Sequence, residues 1–358
     1  MSERNADKQT QARTCYLDVL NVVACAAVIM LHCSNYVFTN AGDGHWNRCV
    51  IVQSLFIFAV PIFLMISGAN LLGYRKRYDT RTFFKKRASR ILAVFIGCSI
   101  LFYLIECLIP SPFGYEPRTL SFAEFVRGFL LNDINDVYWY FYAIIGLYLV
   151  TPLFSKIADD AALLRYCIII CIVVSVVFPF VNRFGPDYNF FGNFSYPYLS
   201  SWLLYYLTGY YLAHHFKRHV PTALLPIVFA GCVAVSAYVT LRTNLTYQIP
   251  AGNPYDSFYS GVFSPFEYVA ICALFLLGKQ LDSAFSQTII APAARRLSAL
   301  SLGIYAIHML PLRFLDNVFP TFGTSLMWKP LIIFVASALA VWLFRLVVKG
   351  IKKLFAHA

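Results

Sequence analysis

Apolar runs of about 18 residues or more recur from one end of this chain to the other, and each is long enough to cross the hydrocarbon core of a bilayer. A backbone in hydrocarbon must satisfy its own N–H and C=O groups, so only helices and closed barrels cross. The ten-residue alternation of a barrel strand is absent, which leaves a bundle of helices. The runs fall near 15–36, 48–73, 88–109, 137–157, 163–181, 200–216, 222–241, 262–280, 298–316 and 328–350. The chain therefore reads as an all-α polytopic membrane protein, a bundle of about ten transmembrane helices. Composition agrees: 59% of residues are hydrophobic and 13% charged, against about 45–50% and about 25% in soluble domains. No repeat or low-complexity tract divides it, so residues 15–350 are read as a single transmembrane domain between tails at 1–14 and 351–358. No small-residue cleavage site follows the first run, so it is kept as a span rather than a signal peptide.

Basic residues give the orientation. Threading the runs alternately leaves Arg48, Arg118, Arg127, Arg183, Arg242, Arg313 and Lys329 on one side and the other 22 of the 29 Lys and Arg on the opposite side. Positive residues collect inside, so both termini are expected in the cytoplasm, across the plasma membrane. That asymmetry accounts for most of the net charge of +12 without a nucleic-acid partner. The ten cysteines show no CxxC pair and no metal-ligand spacing, and nine fall in or beside spans. Small, polarizable Cys packs well in buried helices, so no metal and no disulfide framework is expected. Asn244-Leu-Thr246 forms a glycosylation sequon, a tripeptide short enough to arise by chance.

Three stretches carry groups capable of chemistry. In the first run, Asp18, Asn21, Cys25 and His32 share one helical stripe, because 7, 11 and 14 residues are close to whole turns. An ionisable side chain in a span faces the bundle interior or a wet cavity by default, although a histidine near the interface can equally serve as an interhelical hydrogen-bonding group. The second stretch, 74-YRKRYDTRTFFKKRASRIL-92, is a basic anchor between spans. Within it Arg87 and Arg90 lie three apart on one helical face, and the planar guanidinium suits phosphoryl oxygens. The third, 298-SALSLGIYAIHMLPL-312, sets Ser301, Tyr305 and His308 at i, i+4 and i+7 on an otherwise apolar helix. Glu106 and Glu267 are the carboxylates at span depth or edge best placed to partner an imidazole.

Taken in order, YLDVLNVVACAAVIMLHCSN, VPIFLMISGANLL, FFKKRASRIL, YWYFYAIIGLYLVTPLF and SLGIYAIH resemble the membrane acyltransferase family 3, the bacterial sugar and cell-envelope O-acyltransferases. The resemblance covers nearly the whole chain and implies the same topology of about ten helices with a cytoplasmic N-terminus. It implies acyl transfer, most simply acetyl, from cytoplasmic acyl-CoA to a hydroxyl of an extracytoplasmic carbohydrate or glycoconjugate, with no permanently bound cofactor. It makes His32 the catalytic histidine and Arg87 and Arg90 the family's RxxR pair on the donor side, with Lys85 and Lys86 beside them. Ser301 and His308 fall on its later serine-to-histidine motif. The family's arginine, separated from the histidine by ten intervening residues, is replaced here by Asn21, whose amide can hydrogen-bond but cannot neutralise a phosphate.

The implied mechanism gives His32 the role of general base toward the acceptor hydroxyl, which suits an imidazole, whose ordinary pKa is about 6.5. An acyl-histidine relay is the other chemistry compatible with these residues. Two rival functions fit the same spans: a small-molecule transporter, and a non-catalytic family member. Transporters often show two related halves, and no such symmetry is visible. The segments 110–136, 182–199 and 242–262 are rich in Tyr, Phe, Asn and Pro, a composition shared by sugar-binding surfaces and interfacial aromatic belts.

Overall fold

The computed structural model describes residues 14–184, 197–320 and 325–356. Its helices, in chain order, are α1 (Cys15–Cys33), α2 (Gly44–Phe56), α3 (Ala59–Leu71), α4 (Thr80–Leu108), α5 (Phe122–Leu130), α6 (Trp139–Phe154), α7 (Ala161–Ile172) and α8 (Phe178–Phe184). They continue as α9 (Pro197–His214), α10 (Leu224–Thr243), α11 (Pro265–Gln280), α12 (Asp282–Ser286), α13 (Ile290–Ile307), α14 (Met309–Val318) and α15 (Trp328–Ala356). No strand occurs among the described residues. Among the described residues seven helical stretches are long and apolar enough to cross a membrane, and the α13–α14 pair, bent by 53°, makes an eighth if it counts as one span. The expectation of about ten is met in part: α9 and α11 stand where spans were expected, but α9, 18 residues long and rich in tyrosine, and α11, with 16 residues, fall outside that set. The outward faces are apolar, with Leu149, Leu153, Ile227 and Phe344 all about two-thirds exposed. A contiguous apolar surface of this kind belongs in lipid rather than water.

Proline explains where the long runs break. Pro61 follows the Phe56–Ala59 interruption, and its ring cannot donate to the Ile57 carbonyl one turn back, so α2 and α3 form one run with a break instead of a continuous helix. Pro179 follows the wide turn Val173–Val177 that joins α7 to α8. Pro311 likewise frees the Ile307 carbonyl, and the chain bends at His308. The run read from sequence as one straight span at 298–316 is therefore two helices with a histidine at their corner.

α1 lies at the centre, packed against α2, α3, α11, α13 and α15. Beside it α3 and α9 touch backbone to backbone. A Cβ on Gly68 would sit 1.8 Å from the Tyr206 carbonyl oxygen, and one on Gly209 would sit 2.2 Å from that of Met65, the use of small residues common in membrane bundles. α4 begins at Thr80, capped by the Asp79 side chain, which accepts from the Thr82 amide at 3.2 Å. Of the basic stretch read as joining two spans, the part from Thr80 onward is thus its first turns. α15 runs to Ala356 through the stretch read as a tail; residues 1–13, 185–196 and 357–358 of the expected tails and outer segment lie outside the described residues.

All ten cysteines are free thiols, as the packing role expects. Asn244 is fully buried. Its amide donates to the Thr240 and Asp256 carbonyls and its oxygen accepts from the Asp256 amide. The sequon is therefore a structural knot, closed to a glycan in this fold.

Candidate active site

The stripe on α1 meets a different neighbour at each level. Asp18 is buried and already engaged, and it does not reach the central cavity. Asn21 lines that cavity, and its Oδ1 is buried without a hydrogen-bond partner among the described residues. The Cys25 thiol lies 3.9 Å from the Ser301 carbonyl of α13. Furthest along, the His32 ring packs on His308, with ring centroids 5.2 Å apart. The two histidines read from separate spans therefore meet, because α1 and α13 pack along their length and Pro311 turns the corner at His308.

His308 is fully buried. Its Nδ1 lies 2.6 Å from the Tyr305 carbonyl oxygen, while Nε2 has no partner among the described residues. Tyr305 is fixed in turn. Its hydroxyl donates to the Val137 carbonyl at 2.5 Å, and Tyr138 returns a bond from its hydroxyl to the Ala306 carbonyl at 2.8 Å. These bonds staple the start of α6 to α13. They also hold Asp136, which adjoins Val137, where its charge acts on His32. Sequence reading missed Asp136, which opens the short 3-10 turn Asp136–Tyr138 with no motif around it.

The cavity has a volume of about 270 Å³ and is walled by α1, α3, α4, α6 and α13. At one end stand Arg87 and Arg90 of α4, and at the other the Tyr305 ring, on which His308 packs at 5.7 Å. The Arg87 Nε is buried and unpartnered. Ser301 also lines it, but its hydroxyl donates to the Ser298 carbonyl at 2.9 Å, so its own helix occupies that donor. The structure thus brings Asn21, Arg87, Arg90, Ser301 and Tyr305 to one space, with His32 and His308 behind its end wall.

Besides Asp18, four expected residues lie elsewhere. Lys85 and Lys86 are exposed and do not line the cavity, and the Lys86 ammonium sits 4.9 Å from the Tyr78 ring centre. Their position follows from helical geometry, since residues one or two before Arg87 point away from its face. Glu106 partners no histidine. It is ion-paired to Arg118 at 2.8 Å, because the 110–118 segment folds back over the end of α4. Glu267 is buried on α11 beside Ser236 of α10, also away from the histidines. A second, polar cavity of about 330 Å³ lies near Arg118 and Arg127, where both arginines have carboxylate partners: Asp133 at 3.2 Å and Glu124 at 3.8 Å. Among the described residues no three His, Cys, Asp or Glu side chains gather in a way that could hold a metal ion.

Comparison with curated proteins and with solved structures gave no match. A family model described as an acyltransferase domain matches residues 16–346, the whole length from the start of α1 to the last turns of α15. The helices that supply the two histidines, the arginine pair and the cavity all lie within that match, and the chain belongs to the acyltransferase family 3.

Proposed function

We propose that this membrane acyltransferase moves an acyl group, most simply acetyl, from cytoplasmic acyl-CoA to a hydroxyl of an extracytoplasmic cell-envelope carbohydrate. The observation that carries the reading is the single cavity with guanidiniums at one end and a histidine pair behind the other. Coenzyme A is too polar to cross a bilayer, so its phosphates stay at the arginine end while the pantetheine arm enters the bundle. Two orphaned groups fit such a guest. Arg87 Nε offers a donor to a phosphoryl oxygen, and Asn21 Oδ1 offers an acceptor to an amide N–H of the arm. Counting α9 and α11 as crossings gives ten spans, and the distribution of basic residues supports both termini in the cytoplasm of a plasma-membrane protein.

In this reading His32 takes the proton of the acceptor hydroxyl as its oxygen attacks the thioester carbonyl. The new C–O ester bond forms, the C–S bond breaks, and the departing thiolate recovers the proton as free CoA. His308 stands against His32 and keeps its ring oriented. Purified protein given acetyl-CoA labelled in the acetyl group tests the reading through release of CoA and transfer of label to envelope glycans. Wild type that transfers label while His32→Ala does not supports it, and equal transfer by both removes His32 from the mechanism. Failure of wild type to bind or turn over acyl-CoA overturns the donor assignment.

A further inference from the structure

Arg345 lies in the apolar body of α15, between Lys329 and Lys349. A charge at such a place is costly in hydrocarbon and normally finds an interior partner, or else stretches along the helix to the lipid headgroups. Here its Nη2 donates to the Ala299 carbonyl of α13 at 2.5 Å. One turn further along both helices, Gly303 lets Val341 in so closely that an added Cβ would meet Val341 Cγ1 at 2.7 Å. The seam between α13 and α15 thus holds the guanidinium in place. Ala299 is itself part of the cavity wall, with Arg87 and Arg90, and the charges of Arg345 and Arg90 act on each other.

The Arg345 guanidinium is therefore bonded to the wall of the cavity that Arg87 and Arg90 line. Among the described residues no carboxylate is ion-paired to Arg87, Arg90 or Arg345, in contrast to the paired arginines of the second cavity. Like charges held together without counter-charge repel, and the buried Arg87 Nε remains unpartnered. An anion with several oxygens would relieve both conditions. The planar fork of arginine can bind a carbonyl with one arm and a phosphoryl oxygen with another.

We propose that Arg345 is the third cationic arm of a phosphoryl-binding site formed with Arg87 and Arg90, and that its ligand is the phosphate-bearing part of a soluble donor. The inference rests on the donor reading above in taking coenzyme A as the guest, but the site is defined by its phosphoryl chemistry. Lipid phosphate is the competing source of the same chemistry.

The test measures binding of CoA and of inorganic pyrophosphate by calorimetry to full-length protein in maltoside detergent. Wild type, Arg345→Gln, Arg345→Lys and the Arg87→Ala/Arg90→Ala double variant are compared, each with its melting temperature. Loss of a charge-assisted hydrogen bond predicts weakening of both ligands by about tenfold or more in Arg345→Gln. Arg345→Lys, which keeps the charge but loses the fork, should fall between, at an unchanged melting temperature. If Arg345→Gln melts early, the lysine variant carries the test, and wild-type affinity in it overturns the proposal. CoA binding that the double alanine loses and both Arg345 variants keep overturns the role of Arg345 and leaves the donor reading standing. Wild type that ignores CoA yet binds pyrophosphate, with loss in Arg345→Gln, overturns the donor reading and keeps the phosphoryl site. Wild type that binds neither overturns both. In nanodiscs containing phosphatidylglycerol, an Arg345→Gln effect confined to retained lipid would give the residue to a headgroup and overturn the proposal.

Discussion

His308 and Tyr305 are joined within one helical turn, with Nδ1 of the imidazole 2.6 Å from the tyrosine's own carbonyl oxygen. A carbonyl can only accept, so Nδ1 carries a proton, and in the neutral ring Nε2 keeps its lone pair. The ring of His32 lies against it, and two imidazolium charges at that separation would repel. The arrangement suits a pair that handles a single proton.

His32→Ala should lower turnover by about 10²–10⁴, the usual worth of a positioned general base, with donor affinity unchanged. His308→Asn keeps a donor for the Tyr305 carbonyl but brings no basic nitrogen, and should lower turnover less, at wild-type melting temperature. Single-turnover rates and donor Kd values, measured together, check both. A rise in donor Kd equal to the rate loss would move these residues from chemistry to binding.

Asn21→Leu should leave stability unchanged or raise it slightly. The Oδ1 that it removes is buried and has no partner, and losing an unsatisfied group costs no hydrogen bond. Donor binding should weaken severalfold in the same variant. Thermal unfolding in detergent and calorimetry decide it, and a clear drop in melting temperature would show that Asn21 holds the fold.

Gly209→Val should be among the most damaging single changes outside the cavity. Its Cβ would meet the Met65 backbone at 2.2 Å, where no side chain can rotate away. Overpacking commonly costs about 1–3 kcal/mol, and this site belongs at or above the upper end. Size-exclusion profiles after heating should show early loss of the monodisperse peak, and wild-type behaviour would mean that α3 and α9 can part.

Asp79 supplies a pH dependence. The Thr82 hydroxyl, and then the Thr82 amide, hold the Asp79 carboxyl below its ordinary value. A carboxyl with a depressed folded pKa contributes stability that is present above its unfolded value, near 3.9, and is lost as pH falls through the folded one. Below about pH 4, protection of the Thr82 amide from hydrogen exchange should fall with pH in wild type, while Asp79→Asn should show a flat response. Parallel curves would place the dependence elsewhere.

The helices were legible wherever hydrophobic run length alone decides, as in α1, α6, α10 and α15. So was the meeting of charged and polar groups in the interior, because Asn21, His32, Arg87 and His308 could not remain in lipid. The corner at His308 was less visible. Its signal was Pro311, three residues on, inside a run that hydropathy reads as continuous. The start of α4 was hidden by its own charge, although Asp79 before Thr80 is an ordinary N-cap. Arg345 entered only the count of basic charges, although its apolar neighbours on both sides within the run 328–350 mark it as interior. The Glu106–Arg118 pair was out of reach, since nothing in either residue's neighbourhood says that the 110–118 segment folds back.

The contact at Gly68 and Gly209 has a mechanical consequence. Where main chain meets main chain, as at these two glycines, no rotamer stands between the helices to be rearranged, and a sliding motion would have to lift one past the other. α3 and α9 therefore behave as one stiff plank beside α1. Any breathing that admits a long guest to the cavity falls to the other walls, α4, α6 and α13, where side chains rather than backbones form the joint.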